Sequence, residues 1–509
     1  MNKPIRTVAV FCMFLFVALM VNASYLQFWK AEDYNADGAD NRRVTEEAFS
    51  RERGQILVGD QQPIALSEPS NDRYKFLRQY PKPLVYGHTT GFLQLTSQTG
   101  IENTQNEILS GQDPRLFVDR LVDLVQNQDN KGGNVTLTLD PDAQQAAYDA
   151  LRNSIGPEGE GSVVAIEPKT GRVLASVSLP AYDPNNLATH DFSAAADAYD
   201  RLDPSDGDGD EKQPLLNRSI QTRLAPGSTF KVVTAAAAIE AGLYNGGDQV
   251  PSGATWQAPG TTGEQNLIDN EGRTGCSPEN ISFGAAMAQS CNTAFAKMAV
   301  ELGPEEMRER SEAFGFNSTQ FQDLPGQATS IYPESVTDVV DGEEQAPREL
   351  NDAETARTGF GQFDVQATPM QMAMVMSAIG NQGTLMRPQL VENVQSADYQ
   401  LIESFEPDEL RDAISPSTAS QLTDLLVETV DGGTASPGGI PGTSVAGKTG
   451  TAQRGVEGAA PYAWFTSFAP AEDAEVAVAV MIQEAPGREI SGGGLGGPVA
   501  KAVMEAVLR

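Results

Sequence analysis

The sequence predicts an α+β protein whose large domain is an antiparallel sheet with helices on its faces, preceded by a small mixed domain and a single membrane-crossing helix. Three features point there. Residues 444–453, 462–468 and 475–483 read as strands that meander one after another, with helical stretches before and after them. Residues 51–139 hold short apolar runs cut by glycine and proline, the pattern of a smaller unit of mixed elements. The first thirty residues carry an apolar run long enough for a bilayer.

The elements follow in order. Lys3 and Arg6 precede a charge-free run from Thr7 to Trp29, which as a helix spans roughly 34 Å. Tyr25, Phe28 and Trp29 stand where an interfacial aromatic belt belongs, and the basic tip predicts a cytoplasmic N-terminus. Val21-Asn22-Ala23 also suits a cleavage site after a shorter apolar run; a retained anchor is the expectation, and either reading exports the remaining chain. Polar residues 30–48 lead to a strand within Arg51–Val58, a turn at Gly59-Asp60, and a return strand from Pro63 to Leu66. A helix-like stretch from Arg115 to Gln126 closes this region, whose titratable residues show no metal or nucleophile spacing. Asn134–Leu139 alternates like a strand, and Asp140-Pro141 caps a helix from about Asp142 to Asn153.

After a Gly156–Gly161 linker, the hairpin Ser162–Ile166 and Arg172–Ser178 opens the large domain. The predicted division is a tip and anchor over 1–29, a pedestal and linker over 30–158, and the large domain over 159–509. Within it, Pro226-Gly227 ends what precedes and starts an apolar, alanine-rich helix at or beside Ser228 that runs to about Ala241. A glycine-rich stretch reaches Gly275, and helices over 280–289 and 293–301 flank Ser290-Cys291-Asn292. Residues 318–350 read as irregular and acidic. Helices over 368–379 and 416–430 precede the meander, and one over 498–508 follows it.

Composition excludes several functions. The net charge is −34, from 35 basic and 69 acidic residues, which argues against nucleic acid because phosphate contacts need a surplus of Lys and Arg. In the aspartate run Asp203–Glu211, Glu211 stands where a calcium loop needs glycine and Asn217 where it needs glutamate, so the run reads as a solvated loop. The histidines are His88 and His190, neither beside a serine motif, which disfavours a Ser-His-Asp triad. Of three cysteines, Cys12 lies in the apolar run; Cys276 and Cys291 are too few for an ordinary zinc site. They are either a bridge in an oxidising compartment or two small buried thiols, and the sequence leaves both open.

Ser228-Thr229-Phe230-Lys231 carries the clearest chemistry. Three residues apart on a helix, Ser228 and Lys231 share a face. A serine hydroxyl needs a base within hydrogen-bond reach, and a lysine desolvated by apolar neighbours can be that base. The helix N-terminus also suits a developing oxyanion. Taken alone, so short a pattern more often describes an ordinary cap and a solvated lysine. Its company decides, for Ser290-Cys291-Asn292 and Lys448-Thr449-Gly450-Thr451 follow in order.

The three patterns together resemble the S-x-x-K, S-x-N and K-T-G signatures of penicillin-binding proteins and serine β-lactamases. Cys291 departs from the commoner aspartate at a position that does no proton transfer. Arg53-Gly54-Gln55-Ile56, Gly100-Ile101-Glu102, Leu109-Ser110-Gly111, Val135–Asp140, Thr358–Gln362 and Ala367-Thr368-Pro369 extend the resemblance to the class B penicillin-binding proteins, in the short-pedestal form known from actinobacteria. Lys169-Thr170-Gly171 also spells K-T-G, but it sits in a hairpin turn and is assigned no chemistry.

The resemblance implies a D,D-transpeptidase that cross-links peptidoglycan stem peptides through a serine acyl-enzyme and is acylated by β-lactams, without a cofactor or metal. Ser228 would attack the D-alanyl-D-alanine carbonyl, Lys231 would take its proton, and Ser290 would relay it to the leaving amine. Asn292 would hold the substrate amide, Lys448 would add a second cation, and Thr449 and Thr451 would meet the substrate carboxylate. The backbone N–H groups of Ser228 and Thr451 would form the oxyanion hole, and Gly450 would let substrate approach the strand edge. An amine from a neighbouring stem peptide is the acceptor, and a membrane glycan polymerase of the shape, elongation, division and sporulation type is the implied partner. A D,D-carboxypeptidase or β-lactamase using the same serine, or a non-catalytic β-lactam sensor or scaffold, are the alternatives. No glycosyltransferase domain fits between residues 30 and 160.

Overall fold

A computed structural model describes residues 3–26, 30, 49–94, 97–117, 131–203, 212–340, 342–454 and 458–509. Helix Lys3–Ser24 carries no buried residue, and side chains such as Phe11, Phe14, Phe16 and Met20 stand exposed along it. Among the described residues it is the one helix long and apolar enough to cross a membrane.

The large sheet has five strands, in the order Ala446–Ala452, Tyr462–Ala469, Val476–Glu484, Glu160–Ile166, Val173–Leu179, each antiparallel to its neighbour. Its central strand shows why the sequence is apolar without a polar face. Ala477, Ala479 and Met481 enter one core, while Val476, Val478, Val480 and Ile482 enter the other. Successive side chains point to opposite faces, and both faces are covered.

On one face lie helices Pro141–Ile155 and Gly497–Val507, which also pack on each other. On the other lies Pro369–Gly380, backed by Lys231–Glu240, Asn292–Ala313 and Pro416–Asp431. Three of these helices begin alike: Asp140, Thr368 and Ser415 cap the first turn with a side-chain oxygen, and proline follows. Proline's fixed φ and missing N–H suit that first position.

The N-terminal sheet is mixed. Strand Ile56–Val58 pairs antiparallel with Gln62–Pro69 and parallel with Asn134–Leu137. The two strands beyond come from far along the chain: Val391–Gln395 pairs with Asn134–Leu137, and Leu401–Ser404 with Val391–Gln395. Sequence reading left residues 391–404 without an element: Val391–Gln395 pairs with a strand some 250 residues away, and Leu401–Ser404 pairs back on Val391–Gln395. Helix Phe283–Ala288 starts later than expected, since 280–282 form a short strand and Ser282 caps the helix. Helix Asn292–Ala313 continues past Glu301 through a kink at Gly303-Pro304. The helix expected over 115–126 and the aspartate run fall mostly outside the described residues; within them, Pro114–Leu116 is a short 3-10 turn.

Candidate active site

Ser228 sits on Gly227–Phe230, one 3-10 turn that passes directly into helix Lys231–Glu240. Gly227 has φ +54°, and a Cβ there would sit 2.5 Å from the Thr451 carbonyl oxygen, so the turn needs glycine. The turn is held from two sides. Gly227 N–H donates to Gly361 O at 3.0 Å, and Trp464 Nε1 donates to Ala225 O at 3.0 Å. Helix Lys231–Glu240 is buried from Lys231 to Ile239, which draws the lysine into an apolar interior.

The three motifs meet. Lys231 Nζ lies 2.9 Å from Ser228 Oγ, 2.7 Å from Asn292 Oδ1, 2.8 Å from Ser290 O and 3.2 Å from Ser290 Oγ. Lys448 Nζ lies 2.9 Å from the same Ser290 Oγ and 3.0 Å from Thr449 O. Both lysines are completely buried. Burial pushes the Lys231 ammonium well down, and the charges of Lys448 and Arg273 push it further. Lys448 is lowered to about 7 by burial and by Arg273.

Ser290 occupies the left-handed region at φ +58°, a conformation that costs a serine about 1 kcal/mol or more and recurs at functional sites. It lies between helices Phe283–Ala288 and Asn292–Ala313. Cys291, its neighbour, forms a disulfide with Cys276. Asn292 is anchored in turn, its Nδ2 donating to Asp269 O at 3.0 Å.

Strand Ala446–Ala452 is the sheet's edge, so one side of its backbone is free of sheet pairing. Thr451 lines an open cleft with Ser228 and Asn292. Thr449 Oγ1 is 2.7 Å from Thr434 Oγ1. Gly450 faces the turn that carries Ser228, not open cleft: a Cβ would come within 2.7 Å of Pro226 O and 3.1 Å of Thr229 N. The reason for glycine there is the close approach of strand to turn, a correction to the expectation of substrate access. The second K-T-G stays apart, with Lys169 exposed and paired to Asp473 at 2.6 Å.

Sequence reading missed Arg273, Glu271 and Arg357, and took Phe360 only as part of the family run Thr358–Gln362, with no place in the site. Glu271, Arg357 and Phe360 line the cleft, and Arg273 Nη1 donates to Ser290 O at 3.2 Å. A Cys276–Cys291 bridge was the available pointer to the loop 269–276. Nothing in the sequence singled out Arg357.

The fold and this constellation define a class, and comparison with known proteins agrees: residues 161–505 match the penicillin-binding protein transpeptidase domain, so the chain belongs to the penicillin-binding proteins. Residues 53–135 match the penicillin-binding protein A dimerisation domain. Over its full length the chain is 40% identical to peptidoglycan D,D-transpeptidase PbpA of Mycolicibacterium smegmatis, covering 100% of this chain and 99% of that protein. The PbpA of Mycobacterium tuberculosis is 38% identical with the same coverage. The structure of penicillin-binding protein A from M. tuberculosis as an imipenem acyl-enzyme complex superimposes with a TM-score of 0.80 at 38% identity, covering 91% of this chain and 100% of that one.

Proposed function

We propose that the protein is a peptidoglycan D,D-transpeptidase that works through an acyl-enzyme on Ser228 and is inactivated by β-lactams in the same way. The observation that carries this reading is the 2.9 Å approach of Lys231 Nζ to Ser228 Oγ, where the 3-10 turn holding Ser228 runs directly into the helix that Lys231 begins. A neutral amine has two N–H groups and one lone pair. Two carbonyl oxygens, Ser290 O and Asn292 Oδ1, stand at 2.8 and 2.7 Å to take the N–H groups. The lone pair is then left for the Ser228 hydroxyl, the arrangement a general base requires.

In acylation Ser228 Oγ bonds to the carbonyl carbon of the penultimate D-alanine, and its proton passes to Lys231. The tetrahedral oxyanion lies against the first turn of the nucleophile segment and the edge strand at Thr451, and a backbone donor there is worth roughly 3 to 4 kcal/mol. The carbon–nitrogen bond then breaks, and the leaving D-alanine amine takes a proton through Ser290, which bridges Lys231 and Lys448. An acceptor amine attacks the ester, Lys231 removes its extra proton, and Ser228 is released. In a β-lactam the leaving amine stays tethered, so the ester persists.

Incubation of the full chain with a D-alanyl-D-alanine pentapeptide and an amine acceptor tests the assignment. Cross-linked dimer with release of D-alanine is expected; tetrapeptide alone would make it a carboxypeptidase, and rapid turnover of penicillin a β-lactamase. We further propose that Lys3–Ser24 is a retained anchor with its N-terminus in the cytoplasm, supported by Lys3 and Arg6 at its start. The pairing with a membrane glycan polymerase rests on the family resemblance, and co-purification with the full-length chain tests it.

A further inference from the structure

Ser290 is where three cationic side chains converge, and only two belong to the recognised motifs. Its hydroxyl meets Lys448 and Lys231, at 2.9 and 3.2 Å. Its carbonyl oxygen meets Lys231 at 2.8 Å and Arg273 Nη1 at 3.2 Å. Arg273 comes from the loop before the 3-10 turn Thr274–Cys276, which the Cys276–Cys291 disulfide ties to the residue after Ser290. Its other terminal nitrogen, Nη2, is 2.8 Å from Glu271 Oε2. Glu271 lines the cleft beside Ser228, and its side chain is 45% exposed.

We infer that Arg273 is a positioning residue for acyl transfer: it clamps the Ser290 carbonyl and, as a permanent cation, keeps the lysine that shares that carbonyl in its neutral form, with Glu271 as the counter-charge that moderates it. The inference rests on the reading of Ser228 and Lys231 given above. A guanidinium does not release its proton in proteins, whereas a buried ammonium readily does. Three cations around one serine therefore resolve by deprotonating a lysine. The charged groups facing Lys231 are Lys448 from the edge strand and Arg273 and Glu271 from the loop; Lys448 and Arg273 act to lower it and Glu271 to raise it. Lys448 is lowered by the same arginine. The clamp also fixes the backbone of Ser290 in its left-handed conformation, so that carbonyl and hydroxyl both reach Lys231.

The test is the rate of acylation by a fluorescent penicillin from about pH 5 to about pH 9, for the full chain and for Arg273→Gln, Arg273→Lys and Glu271→Gln. Arg273→Gln is expected to move the acid limb of the profile up by about one pH unit. Arg273→Lys, whose ammonium can itself lose its proton, recovers only part of that shift, and Glu271→Gln moves the limb the opposite way. A uniform loss of rate at every pH in Arg273→Gln, or a limb that Glu271→Gln moves upward, overturns the inference. If Arg273→Gln does not fold, the half-exposed Glu271→Gln decides alone by its direction. A wild-type chain that takes no label sinks the acyl-enzyme reading itself; a labelled wild type with unmoved limbs sinks only the role of Arg273.

Discussion

Lys231 and Lys448, which the proposed reaction uses, cost stability. Each is completely buried, and burial is the first cause lowering each ammonium. A lysine lowered in the folded state binds fewer protons there than in the unfolded chain, so its contribution turns unfavourable as pH falls below the ordinary lysine value. Lys448→Met should therefore leave the melting temperature equal to or above that of the wild type while penicillin labelling is lost. Calorimetry and labelling on one preparation check both halves. Gly450→Ala works in the reverse direction, because its methyl must displace the backbone of Pro226 or Thr229. A cost of about 1 to 3 kcal/mol is expected, with slower acylation as the edge strand moves off the nucleophile turn. At this scale the sequence was legible where chemistry restricts residue type: Ser228, Lys231, Ser290, Asn292 and Lys448 converge within hydrogen-bond reach. Arg273 was not legible, since an arginine in a glycine-rich loop carries no pattern and its partner is a backbone carbonyl 17 residues away.

Among elements, those whose ends are written locally were the easiest to read. Asp140, Thr368 and Ser415 each precede a proline, and each accepts a backbone N–H in the first helical turn. Asp140→Ala should cost about 1 kcal/mol, read as a shift in the urea midpoint. The strands of the meander were also plain, because short connections make neighbours in sequence neighbours in space. Strand 391–395 was not, since it pairs with a strand of the N-terminal sheet some 250 residues earlier, and 401–404 in turn pairs on 391–395. The disulfide could not be chosen from sequence over two buried thiols. It closes a loop of 15 residues, for which the chain-entropy account gives about 3 kcal/mol. Cys276→Ala with Cys291→Ala should lower the melting temperature and slow acylation together, as both ends of the bridge flank the site.

At the scale of the molecule, the N-terminal sheet is tied together by a buried carboxylate. Glu102 receives Arg53 and Arg78, each at 2.6 Å, and Tyr80 at 3.2 Å. Burial works to raise this carboxyl, but Arg78 and Arg53 outweigh it and hold the group below the usual glutamate value. Its stabilisation is therefore present at neutral pH and is lost as pH falls through that lowered value. Glu102→Gln leaves two buried guanidinium groups short of a counter-charge, and a loss of about 3 to 5 kcal/mol is expected at pH 7. The variant's urea midpoint should depend less on acid than the wild type's. The residues Arg53 and Glu102 had marked the family in the sequence; their physical reason is this network, which no spacing rule reveals.

On the mechanism proposed above, Ser228 Oγ, activated by Lys231, is the atom that accepts the acyl group. Peptide mass mapping after incubation with penicillin tests it most directly. One adduct per chain, carried by the peptide that contains Ser228 and absent from Ser228→Ala, is the predicted result. An adduct on any other residue, or an unmodified wild-type chain, would contradict the account.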